Sequence, residues 1–380
     1  MLKSFIQIFS SLKLTVACLV LGCVIVFWGT IAQVHIGLYR AQAEVFHSLL
    51  IYWQPSGANW KIPIFPGGYL IAGVLLINLL VAHVRYYQLG RKKFGIALIH
   101  LGIVLMLLGQ MLTDYLSVES VMHLRLGESK NYSESERGGE IAVIDTTDKN
   151  SYKVVAVPCD LLARRGDVRN PELPFDLHVK AYYANSQLSD KAAPGFEPVK
   201  ATAGMGTSLW WRELPHETVM ERTDIPSAII SITDAQGPVG TFLVSELLGQ
   251  PQSFACNGRQ YELVLRPERF YKPFSLQLIE FKHDRYPGTD IPKNFSSRVR
   301  LQRPDTHEDR EVLIFMNNPL RFAGDTFYQA SFDSDDRGSV LQVVHNPGWI
   351  TPYLACALVG VGLTIQFLTH LIPFLKRRLA

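Results

Sequence analysis

His83, His100 and His370 are the residues of this 380-residue chain best placed to do chemistry. The stretch "VAHVRYYQLGRKKFGIALIH", residues 81–100, carries two of them at its edges, with Arg85, Arg91, Lys92 and Lys93 between. Each of the three sits near the margin of a long apolar run, where an ionisable side chain is costly and functional by default. An imidazole there can ligate a metal, pass a proton or bond a neighbouring helix. No GxSxG elbow, Walker loop, GxGxxG after a strand or HExxH occurs, so the common hydrolase and transferase signatures are missing. His123, His178, His216, His283, His307 and His345 are scattered without metal-ligand spacing and read as polar surface residues.

The elements that must hold these histidines are apolar. Charged residues make up 19% of the chain, below the roughly 25% of soluble proteins. Uncharged runs fall at about 14–34, 66–85, 94–112 and from 349 to 374. A helix of about 20 residues crosses a bilayer, so four spans are expected. A signal peptide is the alternative for the first run. Its apolar stretch exceeds a typical signal core of about 7–15 residues, and "AQA" at 41–43 lies well past its end. Lysine and arginine near span ends stay cytoplasmic. The patch at 85–93 and the tail residues Lys376, Arg377 and Arg378 therefore place both termini and that loop inside the cell, in a plasma or inner membrane. A net charge of +3 gives no reason to expect nucleic acid.

With this topology, 1–112 is a membrane domain with three spans, 113–348 an extracytoplasmic domain, and 349–380 a fourth span with a basic tail. Residues 38–53 have apolar side chains at helical spacing and predict an amphipathic helix on the outer membrane surface. The outer segment alternates instead, as in "EIAVIDT", "SAIISIT", "YELVLRP" and "REVLIFM". About eleven such strands predict an antiparallel β-sandwich or barrel-like domain between spans three and four. Residues 184–222 lack a period and predict a long mobile excursion.

The three span histidines lie within about two turns of the cytoplasmic boundary. Their number and depth favour a cofactor with axial imidazoles, that is haem. A proton relay is the rival, but the four apolar runs contain no Asp or Glu. Packing between helices remains the bland reading of each histidine alone. Directly packed helices lie about 8–10 Å apart, which makes His83 and His100 poor joint ligands of one porphyrin.

"MNNPLRFAGDTFYQASF" at 316–332 resembles the signature of the ResB (CcsB) family of cytochrome c biogenesis proteins. "YPGTDIPKNFSSRV" at 286–299, "VVHNPGWITPYLACALVGVGL" at 343–363 and the first two apolar runs are similar to further family segments, in the family's order. The resemblance implies a haem-handling membrane subunit of a cytochrome c synthase, working with a CcsA-type partner to deliver haem b to apocytochrome c. It implies an accessory role and no catalytic residue. It also implies that an early-span histidine, by position His83, is an axial ligand of haem iron, with the other ligand from the partner. His100 and His370 are then supporting or packing residues, and Arg85 with its neighbours can meet the propionates. The alternative is a cofactor-free scaffold whose β domain docks the partner or apocytochrome c. The family commonly has an aromatic where Asp325 stands. The segment reads first as a loop feeding a packed strand, with Phe327 and Phe332 in the core and Tyr328 outward; the alternative is a surface at Tyr328 and Gln329 that faces the partner. Cys159 and Cys256 could pair if they meet in an oxidising compartment.

Overall fold

The computed structural model describes residues 2–55, 60–86, 93–148, 151–217, 222–289 and 292–379. Arg91 and Lys92 of the basic patch lie outside the described residues. The chain divides into two compact units, Met1–Val118 with His345–Ala380, and Glu119–Glu217 with Glu221–Val344.

The first unit is helical: α1 (Leu2–Phe9), α2 (Leu12–Ile36), α3 (Leu38–Ala41), α4 (Gly68–Tyr86) and α5 (Phe94–Leu116), with a C-terminal helix, Thr351–Leu379. Four of these, α2, α4, α5 and the last, are long and apolar enough to cross a membrane. Their large apolar side chains are mostly exposed, Phe27 and Val34 at 70% and 77%. A helix apolar all round needs a lipid or protein surround. α5 runs four residues past its apolar run and takes in Asp114, a carboxylate the run itself lacks.

Packing among these helices rests on small residues. Gly95, Gly102 and Gly109, seven apart on α5, are buried. A methyl on Gly95 would lie 2.7 Å from the Gly362 carbonyl oxygen, and one on Gly102 2.8 Å from that of Ala355. The two backbones therefore touch, as glycine seams in membrane helices allow.

Between α2 and α4 the structure departs from an amphipathic helix over 38–53. Helical turns stop at Phe46, and β1 (Leu50–Trp53) pairs antiparallel with β2 (Ile62–Pro66). The cause is close backbone contact: Gly67 and Gly68 leave room for Ser48 and Phe46, turning the chain before a third helical turn can form.

The second unit is antiparallel β. Its largest sheet runs Glu308–Phe315, Pro292–Arg303, Arg259–Arg285, Ser129–Asp145, Val118–Arg125, Gly338–His345, Asp325–Phe332 and Leu320–Phe322. Arg259–Arg285 and Ser129–Asp145 pair along most of their length, with irregularities at Pro267/Arg269 and Tyr271/Leu276. These breaks bend the pair so that it serves two cores. One contains Ile141, Leu263, Leu265, Ile230 and Val244, and the other Leu276, Leu278, Val299, Leu341 and Phe327. A four-stranded sheet covers the first core. Near the bend lie the ion pairs Arg266–Glu140 and Arg269–Glu134, each at 2.9 Å.

The segment 184–222 is not an unstructured excursion. Ser186–Ser189, Trp210–Glu213 and Glu197–Pro198 form a three-stranded sheet. Trp211 packs with Ile229, Leu243 and Val199. Its strands are two to four residues long, too short to show a period.

The 316–332 signature is a tight hairpin. Ala323 and Gly324 both have positive φ, which a two-residue turn between twisted strands requires. Phe327 is fully buried and Tyr328 is 38% exposed. Phe332 meets Phe281 and Phe295 at 5.5 and 5.1 Å. Gln329 faces inward at its amide, 2.6 Å from the Ser297 hydroxyl and 3.0 Å from that of Ser339, so it braces the fold. Asp325 is buried and pairs with Lys272 at 2.8 Å, so the charge at the position where an aromatic is expected is met by a second charge. Cys159 and Cys256 are both buried free thiols. Burial pushes the first up to about 12 and, with help from Asp234, the second to about 11.

Candidate functional site

The helical unit brings His83 and His100 together. His83 lies in the last turn of α4 and His100 in the second turn of α5. Their ring centroids are 5.8 Å apart with the planes 72° from parallel. At this separation the imidazoles meet edge to face, the arrangement of two rings on directly packed helices. Lys93 caps the start of α5 beside them.

His100 also borders a cavity of about 420 Å³, lined on α2 by Leu12, Thr15 and Leu19, on α4 by Leu75, Asn78, Leu79 and Ala82, and on α5 by Ile103 and Leu107. His83 is not in this lining. The walls are apolar apart from His100, Ser10, Thr15 and Asn78. Asn78 is a residue the sequence reading missed, although it is the one amide in its apolar run. It is 2% exposed. Its Nδ2 donates to the Phe9 and Ser11 carbonyls at 2.7 and 3.2 Å, and its Oδ1 accepts from Thr15 Oγ1 at 2.6 Å. The end of α1 leaves carbonyls without intrahelical partners; Asn78 supplies a donor for that of Phe9 and adds one to the Ser11 carbonyl that opens α2. Ser11 caps α2, its Oγ accepting from Lys13 N at 3.2 Å. The floor of the cavity is thereby pinned at the α1–α2 break.

Arg85 points to the same break. Its Nη1 donates to Ser10 Oγ at 2.7 Å and reaches the Ile6 carbonyl at 3.5 Å. The guanidinium thus braces α1 against α4. His370 is exposed on the C-terminal helix, with its Nε2 2.8 Å from the Gln366 amide.

A second polar group stands at the other end of α4 and α5. The His47 ring stacks on Tyr69 at 5.4 Å, and the Tyr69 hydroxyl donates to Asp114 Oδ2 at 3.2 Å. Gln110 donates to Asp114 Oδ1 at 3.0 Å. One contact joins α4 to α5 and the other lies within α5, so the Asp114 carboxylate is bonded at both oxygens in an otherwise apolar helix.

In the β unit the scattered histidines are organised by aspartates. His123 holds Asp333 at 2.9 Å, His178 holds Asp167 at 2.7 Å, His216 holds Asp224 at 2.6 Å and His283 holds Asp336 at 2.9 Å. Each is a pair and not a cluster. Among the described residues no group of three or more His, Cys, Asp or Glu could hold a metal ion. The pairs join strands and turns, with Arg125 and Arg285 adding to the hold on Asp333 and Asp336.

Comparison with known proteins gives two findings. Residues 90–340 match the model of the ResB-like family. The chain is also 28% identical over 295 residues to "Protein NrfI" of Wolinella succinogenes, covering 77% of this chain and 29% of that protein. The chain therefore spans less than a third of the length of that relative. The family match takes in His100 and the β unit as far as residue 340, while His83, Arg85 and His370 fall outside it.

Proposed function

The chain belongs to the ResB-like family, and from that premise we propose that it is a haem-handling membrane subunit acting in cytochrome c biogenesis. Four apolar helices and the family membership support a membrane protein. The observation that carries the haem reading is the His83–His100 pair beside an apolar cavity at one end of the candidate spans. A porphyrin has a broad apolar face and an iron that takes imidazole, and these residue types suit both. Haem is cargo in this reading, held for passage and delivered to apocytochrome c with a CcsA-type partner.

His83 is the proposed axial ligand. His100 lies against it and fixes its ring orientation, as groups next to a ligating imidazole do. The edge-to-face contact leaves no gap for a porphyrin between the two rings, which supports a second ligand from a partner chain. Arg85 keeps α1 on α4 through Ser10 and so preserves the cavity floor, and Lys93, which precedes α5, is one of the cations at this end that can meet a propionate. His370 is a packing residue through Gln366. The basic span ends support an orientation with this end at the cytoplasm and the β unit outside.

The test is His83→Gly in the full chain purified with its partner. The bound haem should fall at least about tenfold, since an iron–imidazole bond is lost. Free imidazole should partly restore both haem content and cytochrome c assembly. The same change at His100 should cost less. Full haem in His83→Gly with loss in His100→Gly would move the ligand to the cavity-lining histidine. A colourless parent complex that still restores cytochrome c would replace the haem reading with that of a docking scaffold.

A further inference from the structure

We propose that the β1–β2 hairpin is a membrane-interface anchor, with its exposed aromatic face among lipid headgroups and the first acyl carbons. The inference is independent of the haem site.

One face of the hairpin is committed to the helices. Ile51 is buried with Val45 and Ile71, and Phe65 meets Trp28 of α2 edge to face at 5.9 Å. The mount is tight: the Phe46 ring fills the space above Gly29 of α2, and Ser48 and Phe46 lie against Gly67 and Gly68. Away from these contacts the hairpin is open, with Leu50, Tyr52, Trp53, Ile62 and Ile64 of its strands and Trp60 just before β2 each exposed. Between Val45 and Pro66 there is no Asp or Glu and one lysine. That Lys61 ammonium lies 4.9 Å above the Tyr52 ring. In water such a face would be an aggregation patch.

Lipid is the occupant that the surroundings select. The hairpin is packed on α2 and α4, two helices long and apolar enough to span, and its open face continues their exposed apolar surface. The depth follows from hydrogen bonding. A two-stranded ribbon leaves the outer backbone groups of both strands unpaired, and such edges are not tolerated in hydrocarbon. The hairpin must then sit at headgroup level, where Trp and Tyr concentrate and Lys61 can meet phosphate. Tyr69 opens α4 just past β2, so His83, fourteen residues on, lies about 21 Å further along the helix axis at 1.5 Å per residue. The anchor thereby sets how deep the histidine pair is carried.

The test uses the full chain in lipid nanodiscs with lipids brominated either beside the carbonyls or near the acyl ends. Bromine quenches tryptophan at short range. Trp53→Phe/Trp60→Phe keeps the apolar face and removes only the reporters. The emission lost in the variant should be quenched at least about twofold more by the shallow bromines than by the deep ones, as residues of the interfacial belt are. Equal quenching of parent and variant by shallow bromines would overturn the proposal and leave the face to a protein partner. Stronger quenching by the deep bromines would overturn it by placing the ribbon in hydrocarbon.

Discussion

Replacing Lys272 by methionine should destabilise the β unit more than most single changes in this chain. The Lys272 ammonium and Asp325 carboxylate are 2.8 Å apart, with side chains 10% and 6% exposed. Solvent therefore screens this pair little, unlike the surface pairs such as Arg169–Asp167, whose side chains are 73% and 58% exposed and worth about 0–1 kcal/mol. Methionine fills the lysine stem's volume, so little packing is lost. What remains is a carboxylate buried without its cation, at a cost of about 3–5 kcal/mol. For a unit of this size each kcal/mol moves the midpoint by about 2–4 °C, so a fall of about 6–20 °C is expected. The double change Lys272→Met/Asp325→Phe removes both charges and places there the aromatic that the resemblance leads one to expect. A buried ion pair replaced by well-packed apolar groups is often neutral or better, so the double variant should recover most of the loss. Thermal unfolding of the full chain in detergent, followed by the circular dichroism of the β unit, measures all of these. A double variant as unstable as Lys272→Met would refute the pairing argument, since the loss would then come from shape.

Two further changes test the β unit. Gln329→Ala removes one partner from each of the buried Ser297 and Ser339 hydroxyls, which still bond each other, and should cost about 1–2 kcal/mol, whereas Tyr328→Ala on the exposed face should cost about 0.5 kcal/mol or less; equal unfolding midpoints in urea would contradict this ordering. Burial, with the Glu134 charge adding to it, holds the Glu246 carboxyl up at about 7. The folded chain therefore keeps a proton that the unfolded chain releases near 4.3, and this group's contribution to stability is lost as pH rises through that window. Glu246→Gln should leave stability unchanged at pH 4 and raise it by about 1 kcal/mol at pH 8, after discounting for partial exposure; a difference that does not change with pH would refute the assignment.

The signature hairpin shows how far local rules reach. Asn-Pro, Ala-Gly and an alternating aromatic strand were enough to expect a turn with Phe327 inward and Tyr328 outward, because a strand's period of two is written in its residue types. The same period puts Gln329 on the inward face with Phe327, against the outward position its polarity suggests, but its partners are serines thirty-two residues before it and ten after, which the period does not name. Likewise the four His–Asp pairs join residues up to 210 apart in sequence, a separation at which no local pattern signals pairing.

The sequence by itself determined the helices α2, α4, α5 and Thr351–Leu379, since an uncharged run of this length has few other stable states. It also determined the antiparallel β class of the second unit and the resemblance that the family match bears out. The tertiary structure decided what those elements present to one another. Packing of α4 on α5 sets His83 against His100, Asn78 and Arg85 turn to the break after α1, the glycines at 29, 67 and 68 convert a helical segment into a ribbon, and Trp211 gathers an aperiodic stretch into a sheet. The physical reason is the same throughout. Periodicity records which face of an element is buried, but the partner of a buried polar group, or of a backbone brought to contact, is chosen by residues distant in sequence.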